Sequence, residues 1–174
     1  TDEWLAAASK AIGLHQLYCG YSLGRPGAGI TAAGLKHLAP LTKLYLLDLD
    51  SAVLEPGALT GLPDLPALDQ LYVRKTPVAD ADLPHLLRFP RLMHLGLHHT
   101  AVTDKGMPTV ARLPNLKQLH LDGTSVTDAG LDTLRACKKL EYLSVSGTKV
   151  SPAAVAEFRR ALPRCEVNTA PHGD

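Results

Sequence analysis

Three histidines and an aspartate in the middle of the chain have the residue types that bind divalent metal ions. His94, His98 and His120 offer imidazole nitrogens and Asp122 offers a carboxylate, a donor set that suits zinc. If neighbouring β-strands carry them, His98 and Asp122 lie about 5 Å apart, whereas His120 lies on a diagonal, roughly 8 Å from His98. Because these ligands do not converge, and neither a C-x-x-C pattern nor an H-x-x-x-H pattern on a helix supports them, we expect no metal site.

Ser144, His120 and Asp122 raise the alternative of a serine hydrolase. A nucleophilic serine needs a histidine base that is itself oriented by a carboxylate. Asp122 stands two positions from His120 on the same segment, which is a poor angle for that orientation. The sequence also shows no strained nucleophile turn and no donors for an oxyanion. We therefore predict no catalytic residues and no cofactor.

The elements that position these residues follow from a pattern that returns every 24 residues. In LHLDGTSVTDAGLDTL, residues 119–134, leucines two apart precede a polar turn and are followed by leucines three apart. Period two predicts a short strand with one buried face, and period three to four predicts a short helix. One apolar column consists of Leu47, Leu71, Leu95, Leu119 and Leu143. One unit cannot bury its own apolar face, so stacked units must share a core and pair their strands in parallel.

Polar and small residues recur between the strand and the helix of each unit. Hydroxyls that predict helix N-caps stand at Thr103, Thr127 and Ser151. A second hydroxyl column follows the strand at Thr76, Thr100, Thr124 and Thr148. We expect the second column to bond backbone groups of neighbouring repeats and so form a ladder along the stack. The small residues Gly106 and Gly130 are expected to let helix and strand approach closely.

The repeated pattern L-x-x-L-x-L-x-x-T-x-V-T-D-x-G-L resembles the leucine-rich repeat family, particularly its 24-residue bacterial class. The resemblance covers residues 14–168, although threonine stands in the ladder column, where the family pattern usually has asparagine. It implies an α/β fold, a right-handed solenoid with a parallel β-sheet on the concave face and short helices on the convex face. It also implies a non-enzymatic role in binding other proteins, because the family has no catalytic residues in common.

The repeat boundaries predict a single domain over residues 1–174. Residues 14–168 hold about six repeats and a terminal strand, and residues 169–174 form a short tail. Residues 1–13 are expected to cap the first repeat with a helix whose apolar face consists of Trp4, Leu5, Ala8 and Ile12. The first repeat carries a longer loop, residues 20–29, which we expect to decorate the rim rather than contact a partner.

Composition narrows the classes of function. The 174 residues carry 18 Lys and Arg against 17 Asp and Glu, a net charge of +1, which argues against a nucleic-acid binder. No run of eighteen apolar residues occurs, so we expect no membrane insertion. Cys19, Cys137 and Cys165 lack C-x-x-C spacing and favour free thiols in a reducing compartment such as the cytoplasm. The last two cysteines fall in core columns.

Residues that alternate with the buried leucines face outward and define the concave surface that we expect to bind a protein or peptide. The predicted set is Tyr18, Asp48, Asp50, Gln70, Tyr72, Arg74, His94, His98, Gln118, His120, Asp122 and Tyr142. Tyrosine and arginine are favoured anchors, so Tyr72, Arg74 and Tyr142 are the first candidates. We expect a monomer that can form part of a longer chain. The alternatives are a structural spacer segment of a larger multidomain protein and, behind it, an enzyme.

Overall fold

The computed structural model describes residues 2–20 and 29–170. Within these ranges seven three-residue strands form one parallel sheet whose strand order is the order of the sequence. The strands are β1 Gln16–Tyr18, β2 Leu46–Asp48, β3 Gln70–Tyr72, β4 His94–Gly96, β5 Gln118–His120, β6 Tyr142–Ser144 and β7 Glu166–Asn168. Each repeat pairs only with its sequence neighbours, and the predicted α/β solenoid with a parallel sheet is confirmed.

Short helical segments cover one side of the sheet. The α-helices are α1 Asp2–Ala8, α2 Ala32–Lys36, α3 Met107–Val110, α4 Asp128–Thr133 and α5 Pro152–Ala161. Tighter 3-10 turns occupy Ala58–Gly61, Asp80–Arg88, Asp104–Gly106 and Leu134–Ala136. Pro84 lies inside the longest of these turns and lacks the N–H that a regular α-helix needs. Among the described residues, no helix combines the length and the apolar character needed to cross a bilayer.

Two predicted segments lie mainly outside the described part of the chain. The long loop of the first repeat was placed at residues 20–29, of which 21–28 are not described. The tail was placed at residues 169–174, of which 171–174 are not described. The predicted roles of both segments therefore stay predictions.

The leucine columns form the core between the sheet and the helices. Leu71, Leu95 and Leu119 are partners in the register of adjacent strands, and all three are fully buried. Val102 and Val126 occupy equivalent positions after the turns and are also fully buried. The stacked apolar columns predicted from the 24-residue period are confirmed.

The threonine column after the strands bonds within its own repeat. Oγ1 of Thr100 donates to the carbonyl of Leu97 at 2.7 Å, and Oγ1 of Thr124 donates to that of Leu121 at 2.6 Å. The prediction that these hydroxyls form a ladder between repeats is therefore wrong. In the turn, the carbonyl three residues earlier is the nearest acceptor, so it accepts the hydrogen bond of the hydroxyl.

On the helix side, side-chain bonds between repeats come instead from one column of aspartates, Asp80, Asp104 and Asp128. The N–H of Thr127 donates to Oδ1 of Asp104 at 2.8 Å, and the hydroxyl of Thr127 donates to Oδ2 of Asp104 at 2.6 Å. The same two bonds join Thr103 to Asp80 and Ser151 to Asp128. Each of these hydroxyls also accepts a backbone N–H of its own helix, as predicted for N-caps. The T-D pair thus caps one helix and fastens it to the preceding repeat.

The glycine of the T-D-x-G motif makes room for that carboxylate. A Cβ added to Gly130 would lie only 2.3 Å from Oδ1 of Asp104. Its next neighbours are the side chains of Val126 and Met107, and no strand atom is among them. The prediction that this glycine serves close helix–strand approach is therefore wrong, because the group it accommodates belongs to the preceding helix start.

One repeat obtains its carboxylate from a different position. Pro56 stands in the column of Asp80, so no carboxylate reaches the N–H of Ala79 from the preceding repeat. Asp82 stands in the column of Gly106, and its Oδ2 accepts the N–H of Ala79 at 2.9 Å. This part-buried donor therefore keeps an acceptor.

The N-terminal helix α1 attaches to the first repeat by the same chemistry. Asp2 accepts the N–H of Thr31 at 3.0 Å and its hydroxyl at 2.6 Å. Leu5 is fully buried, in keeping with a cap, whereas Trp4 is 47% and Ile12 is 68% exposed. The prediction that Trp4 and Ile12 belong to the apolar face is therefore wrong. The helix has only seven residues, so Ile12 lies beyond it, and Trp4 stands on its outer side.

The three cysteines are buried free thiols among the described residues. Burial, with a smaller contribution from Asp48, raises the pKa of Cys19 to about 12. Burial also raises the pKa of Cys137 and of Cys165 to about 11. The two core positions predicted for Cys137 and Cys165 are confirmed, and all three thiols pack as small apolar side chains.

Leu119→Ala should lower the free energy of unfolding by roughly 2–5 kcal/mol, because it leaves a cavity between two neighbouring repeats. His120→Ala, one residue further along the same strand but on the outward side, should cost well under that amount. Urea unfolding followed by circular dichroism measures both. Equal losses would contradict the assignment of the two faces of the sheet.

Asp128→Ala should make stability less dependent on pH in the acid range. The backbone N–H and the hydroxyl of Ser151 lower the pKa of Asp128 below its ordinary value of 3.8. A carboxylate with a lowered pKa stabilises the fold above its unfolded-state pKa, and this stabilisation is lost as the pH falls through the folded-state pKa. Urea titrations between about pH 6 and pH 2 should show the wild-type advantage over the variant shrinking below about pH 4. A constant difference would contradict the role of the charged group.

Candidate functional site

The outward columns of the sheet line the face opposite the helices, which we call the concave face. Gln70, His94 and Gln118 are lateral partners in adjacent strands and form one column. Tyr72, Gly96 and His120 form the next column, at the other end of the same strands. A third column follows the strands and includes Asp50, Arg74, His98, Asp122 and Ser146. The in-and-out alternation predicted for the strands is confirmed.

Five predicted residues cluster at the N-terminal end of the concave face, and we call them the acid–tyrosine cluster: Tyr18, Asp48, Asp50, Tyr72 and Arg74. Oδ1 of Asp48 accepts the N–H of Asp50 at 2.8 Å, and Oδ1 of Asp50 accepts the N–H of Arg74 at 2.6 Å. Four of the five, all but Tyr72, help to line a cavity of about 230 Å³. The cavity therefore combines carboxylates with an aromatic wall and one guanidinium.

The electrostatics of this cluster show that the carboxylate of Asp50 is partly desolvated. Burial, and after it the neighbouring charge of Asp48, raises the pKa of Asp50, although the N–H of Arg74 opposes the shift. Burial also raises the pKa of Tyr72, and the charges of Asp48 and Asp50 add to that shift. The charge of Arg74 also lowers the pKa of Asp50, so the cluster combines two carboxylates with one guanidinium. The excess of carboxylates favours a positively charged group from a partner.

Glycine and glutamine position the tyrosine rings of this cluster. The hydroxyl of Tyr72 donates to Oε1 of Gln70 at 3.3 Å, and the hydroxyl of Tyr18 donates to Oε1 of Gln16 at 3.1 Å. A Cβ on Gly96 would lie 2.7 Å from the ring of Tyr72, so the ring leans over a position that has no side chain. Gly96 was not in the predicted set. Gly96 stands 24 residues after Tyr72, and this spacing could have identified it from the sequence as the neighbour of the tyrosine ring.

Aromatic rings gather at the C-terminal end of the concave face in what we call the histidine cluster: His98, His120, Asp122 and Tyr142. The rings of His98 and His120 stack with centroids 4.6 Å apart and planes inclined by 25°. The ring of Tyr142 lies 5.2 Å from that of His120. The expectation that His120 stays remote from His98 is wrong, because the two side chains lean toward each other across adjacent strands.

Asp122 is the buried support of the histidine cluster. Its Oδ2 accepts a short hydrogen bond from the hydroxyl of Ser144 and lies 3.5 Å from Nε2 of His98. Its Oδ1 accepts the N–H of Ser146 at 2.9 Å. Asp122 is only 5% exposed, so a partner meets the histidines that it holds rather than the carboxylate itself. The predicted role of Asp122 as a direct contact is corrected in this respect.

The contacts of Ser144 do not match those of a catalytic serine. Nδ1 of His120 lies 3.2 Å from Oγ of Ser144, so the two are lateral neighbours as the sequence suggested. The serine hydroxyl, however, donates its proton to Asp122, and the residue is completely buried. A triad needs the histidine between the serine and the carboxylate, with the serine open to substrate. Here the serine stands in the middle and acts as a bridge between the other two residues.

The remaining predicted residues connect the two clusters. Gln70, His94 and Gln118 are half-buried and share the first column, which continues to Tyr142 on β6. The structure thus brings the predicted set onto one face, in two groups joined by a polar strip. Leu46 stands in the same column but is buried, so the strip of polar side chains is interrupted at β2.

The architecture defines a solenoid of short parallel strands and helical turns with one open polar face. Residues 53–165 match the family model described as "FBD-associated F-box protein At5g56370, LRR repeats". The chain therefore belongs to the leucine-rich repeat family. Its assignment to the 24-residue bacterial class stays a prediction. No curated protein sequence matches the chain.

Solved structures with the same fold include two bacterial proteins. A leucine-rich repeat protein of Leptospira interrogans superposes with a TM-score of 0.62 at 20% identity, over 92% of this chain and 38% of that chain. Internalin C2 of Listeria monocytogenes strain 4b F2365 gives a TM-score of 0.61 at 20% identity, over 78% of this chain and 55% of that chain. This chain thus spans about half or less of either protein, and the likeness shows the fold alone.

Ser144→Ala should lower the free energy of unfolding by roughly 1–3 kcal/mol, because a buried carboxylate loses a hydrogen-bond donor. Ser146→Ala is the matched control, since the bond from residue 146 to Asp122 comes from the backbone N–H, which alanine keeps. The control should change stability by less than about 0.5 kcal/mol. Chemical denaturation measures both variants, and equal effects would contradict the bridging role of the hydroxyl.

Proposed function

We propose that this domain binds a protein or peptide through its concave face and carries out no catalysis of its own. The observation that supports the proposal is the set of half-buried Tyr72, Arg74, His120 and Tyr142 side chains on one face of the sheet. Such amphipathic side chains bury a large area at a low cost in conformational entropy and are enriched among binding hot spots. A fully buried leucine core behind them holds the surface in place before a partner arrives.

The chemistry of the two clusters suggests the kind of partner. The acid–tyrosine cluster suits a lysine or arginine side chain, which can meet Asp48 and Asp50 and lie against the ring of Tyr18. The histidine cluster offers flat rings and suits an aromatic or polar side chain. Five strand spacings separate Tyr18 from Tyr142, roughly 24 Å. An extended segment of about seven residues spans that distance.

A structural spacer in a longer protein is the second candidate. The observation that favours it is the terminal strand β7, which pairs only with β6 among the described residues. A further repeat can add to that open edge without any change on the concave face. The buried free thiols support a reducing compartment for either role.

A photo-crosslinking residue placed at Tyr72 should capture a partner that the same residue placed at Arg112 on the helix side does not. The affinity of the captured protein is then measured for the double variant Tyr72→Ala with Arg74→Glu. We expect a loss of at least about 30-fold, because anchors at the centre of an interface contribute most of its affinity.

Arg112→Glu is the matched control, since it makes the same charge reversal on an exposed residue outside the concave face. It should change the affinity by less than about 3-fold, as is usual outside an interface. Thermal melting of all variants verifies that they are folded. Recovery of the same proteins with equal affinity by every variant would contradict the proposal and favour the spacer.

A further inference from the structure

We propose that His98, His120 and Asp122 form a site for a divalent transition-metal ion, with Zn²⁺ as the best match. One ring nitrogen of each histidine and one carboxylate oxygen of Asp122 lie within 4.8 Å of one another. Two imidazoles and one carboxylate are a donor set that binds zinc and its first-row neighbours in preference to Mg²⁺ or Ca²⁺. Metal binding needs no partner, and the site shares His98 and His120 with the concave face proposed to bind one.

The distances are close to those that an ion requires. Two donors at tetrahedral angles on one zinc ion, each about 2.1 Å from the metal, are roughly 3.4 Å apart. Nε2 of His98 and Oδ2 of Asp122 are already 3.5 Å apart. The widest pair in the group must approach by at most about 1.4 Å to reach the same spacing. The rings of His98 and His120 are stacked with planes inclined by 25°, so the His120 side chain must rotate out of the stack to direct its ring nitrogen at the ion.

The residues around the three donors hold them in place. Ser146 donates its N–H to one oxygen of Asp122, and Ser144 donates its hydroxyl to the other. Ser144 also contacts Nδ1 of His120, so one buried hydroxyl supports two of the three ligands. Such outer contacts orient ligands and commonly strengthen metal binding by one to two orders of magnitude. His120 stands on β5, whereas His98 and Asp122 stand two residues beyond β4 and β5, in turns whose backbone bonds still join neighbouring repeats.

Three protein ligands leave at least one coordination position for water or for a donor from another molecule. That position faces the open side of the sheet, where the side chain of His98 is 19% exposed. The sequence-based expectation of no metal site rested in part on a separation of roughly 8 Å between His98 and His120. The donor atoms of the three residues lie within 4.8 Å of one another, which removes that objection.

Calorimetric titration of the tag-free chain with zinc chloride alone tests the site. We expect about one equivalent of Zn²⁺ to bind, with release by excess chelator and an increase in melting temperature. Co²⁺ in place of Zn²⁺ should develop the visible absorption bands of a four- or five-coordinate ion with nitrogen and oxygen donors. No binding at about equimolar zinc would overturn the proposal.

Variants of the two histidines identify the ligands. His98→Gln and His120→Gln should each weaken zinc binding by at least about 30-fold, because each removes one of three protein ligands. His99→Gln is the matched control, since His99 is exposed and its ring lies against Gly123 instead. The control should change the affinity by less than about 3-fold, as expected for a histidine outside the ligand set.

Two results of these titrations would overturn the three-ligand site. One is wild-type affinity in either His98→Gln or His120→Gln. The other is an equal loss of affinity in His99→Gln. Circular dichroism melts without metal show whether each variant is folded. If either variant is unfolded, His98→Asn or His120→Asn takes its place, and the same affinity limits apply.

Discussion

No repeat of this chain can shield its own leucines from water. Each strand has only three residues, too few to persist alone, and each helical segment covers only part of the core beneath it. Leu71, Leu95 and Leu119 are buried because the same position of the next repeat lies against them. Burial of this shared column sets the register of the sheet, and the register in turn places the side chains of the concave face.

A second set of contacts fastens the helix side. Asp104 and its equivalents bond the backbone and hydroxyl of the next helix start, so every such step gives two donors an acceptor. At Ala79, Asp82 supplies the carboxylate that Pro56 does not. With both sides of each repeat tied to its neighbours, the concave face is presented with little freedom to lose on binding.

The concave face is chemically divided. Its N-terminal end places the partly desolvated carboxylate of Asp50 beside tyrosine rings, whereas its C-terminal end stacks two imidazoles beside a buried aspartate. Both ends lie on one surface, so an extended partner along the solenoid axis meets both. Recognition of a basic side chain at one end and coordination of an ion at the other are therefore compatible on the same molecule.

The 24-residue period by itself determined the strands, the parallel sheet, the buried columns, the N-caps and the residues that face outward. It did so because burial follows the strand and helix periods directly. Only the tertiary structure decided which acceptor Thr100 uses, which repeat Asp104 bonds, and why Gly130 lacks a side chain. It also decided that Asp122 is buried and that the rings of His98 and His120 meet. These outcomes depend on side-chain torsions and on competition between nearby polar groups. The spacing of residues along the sequence specifies neither of them.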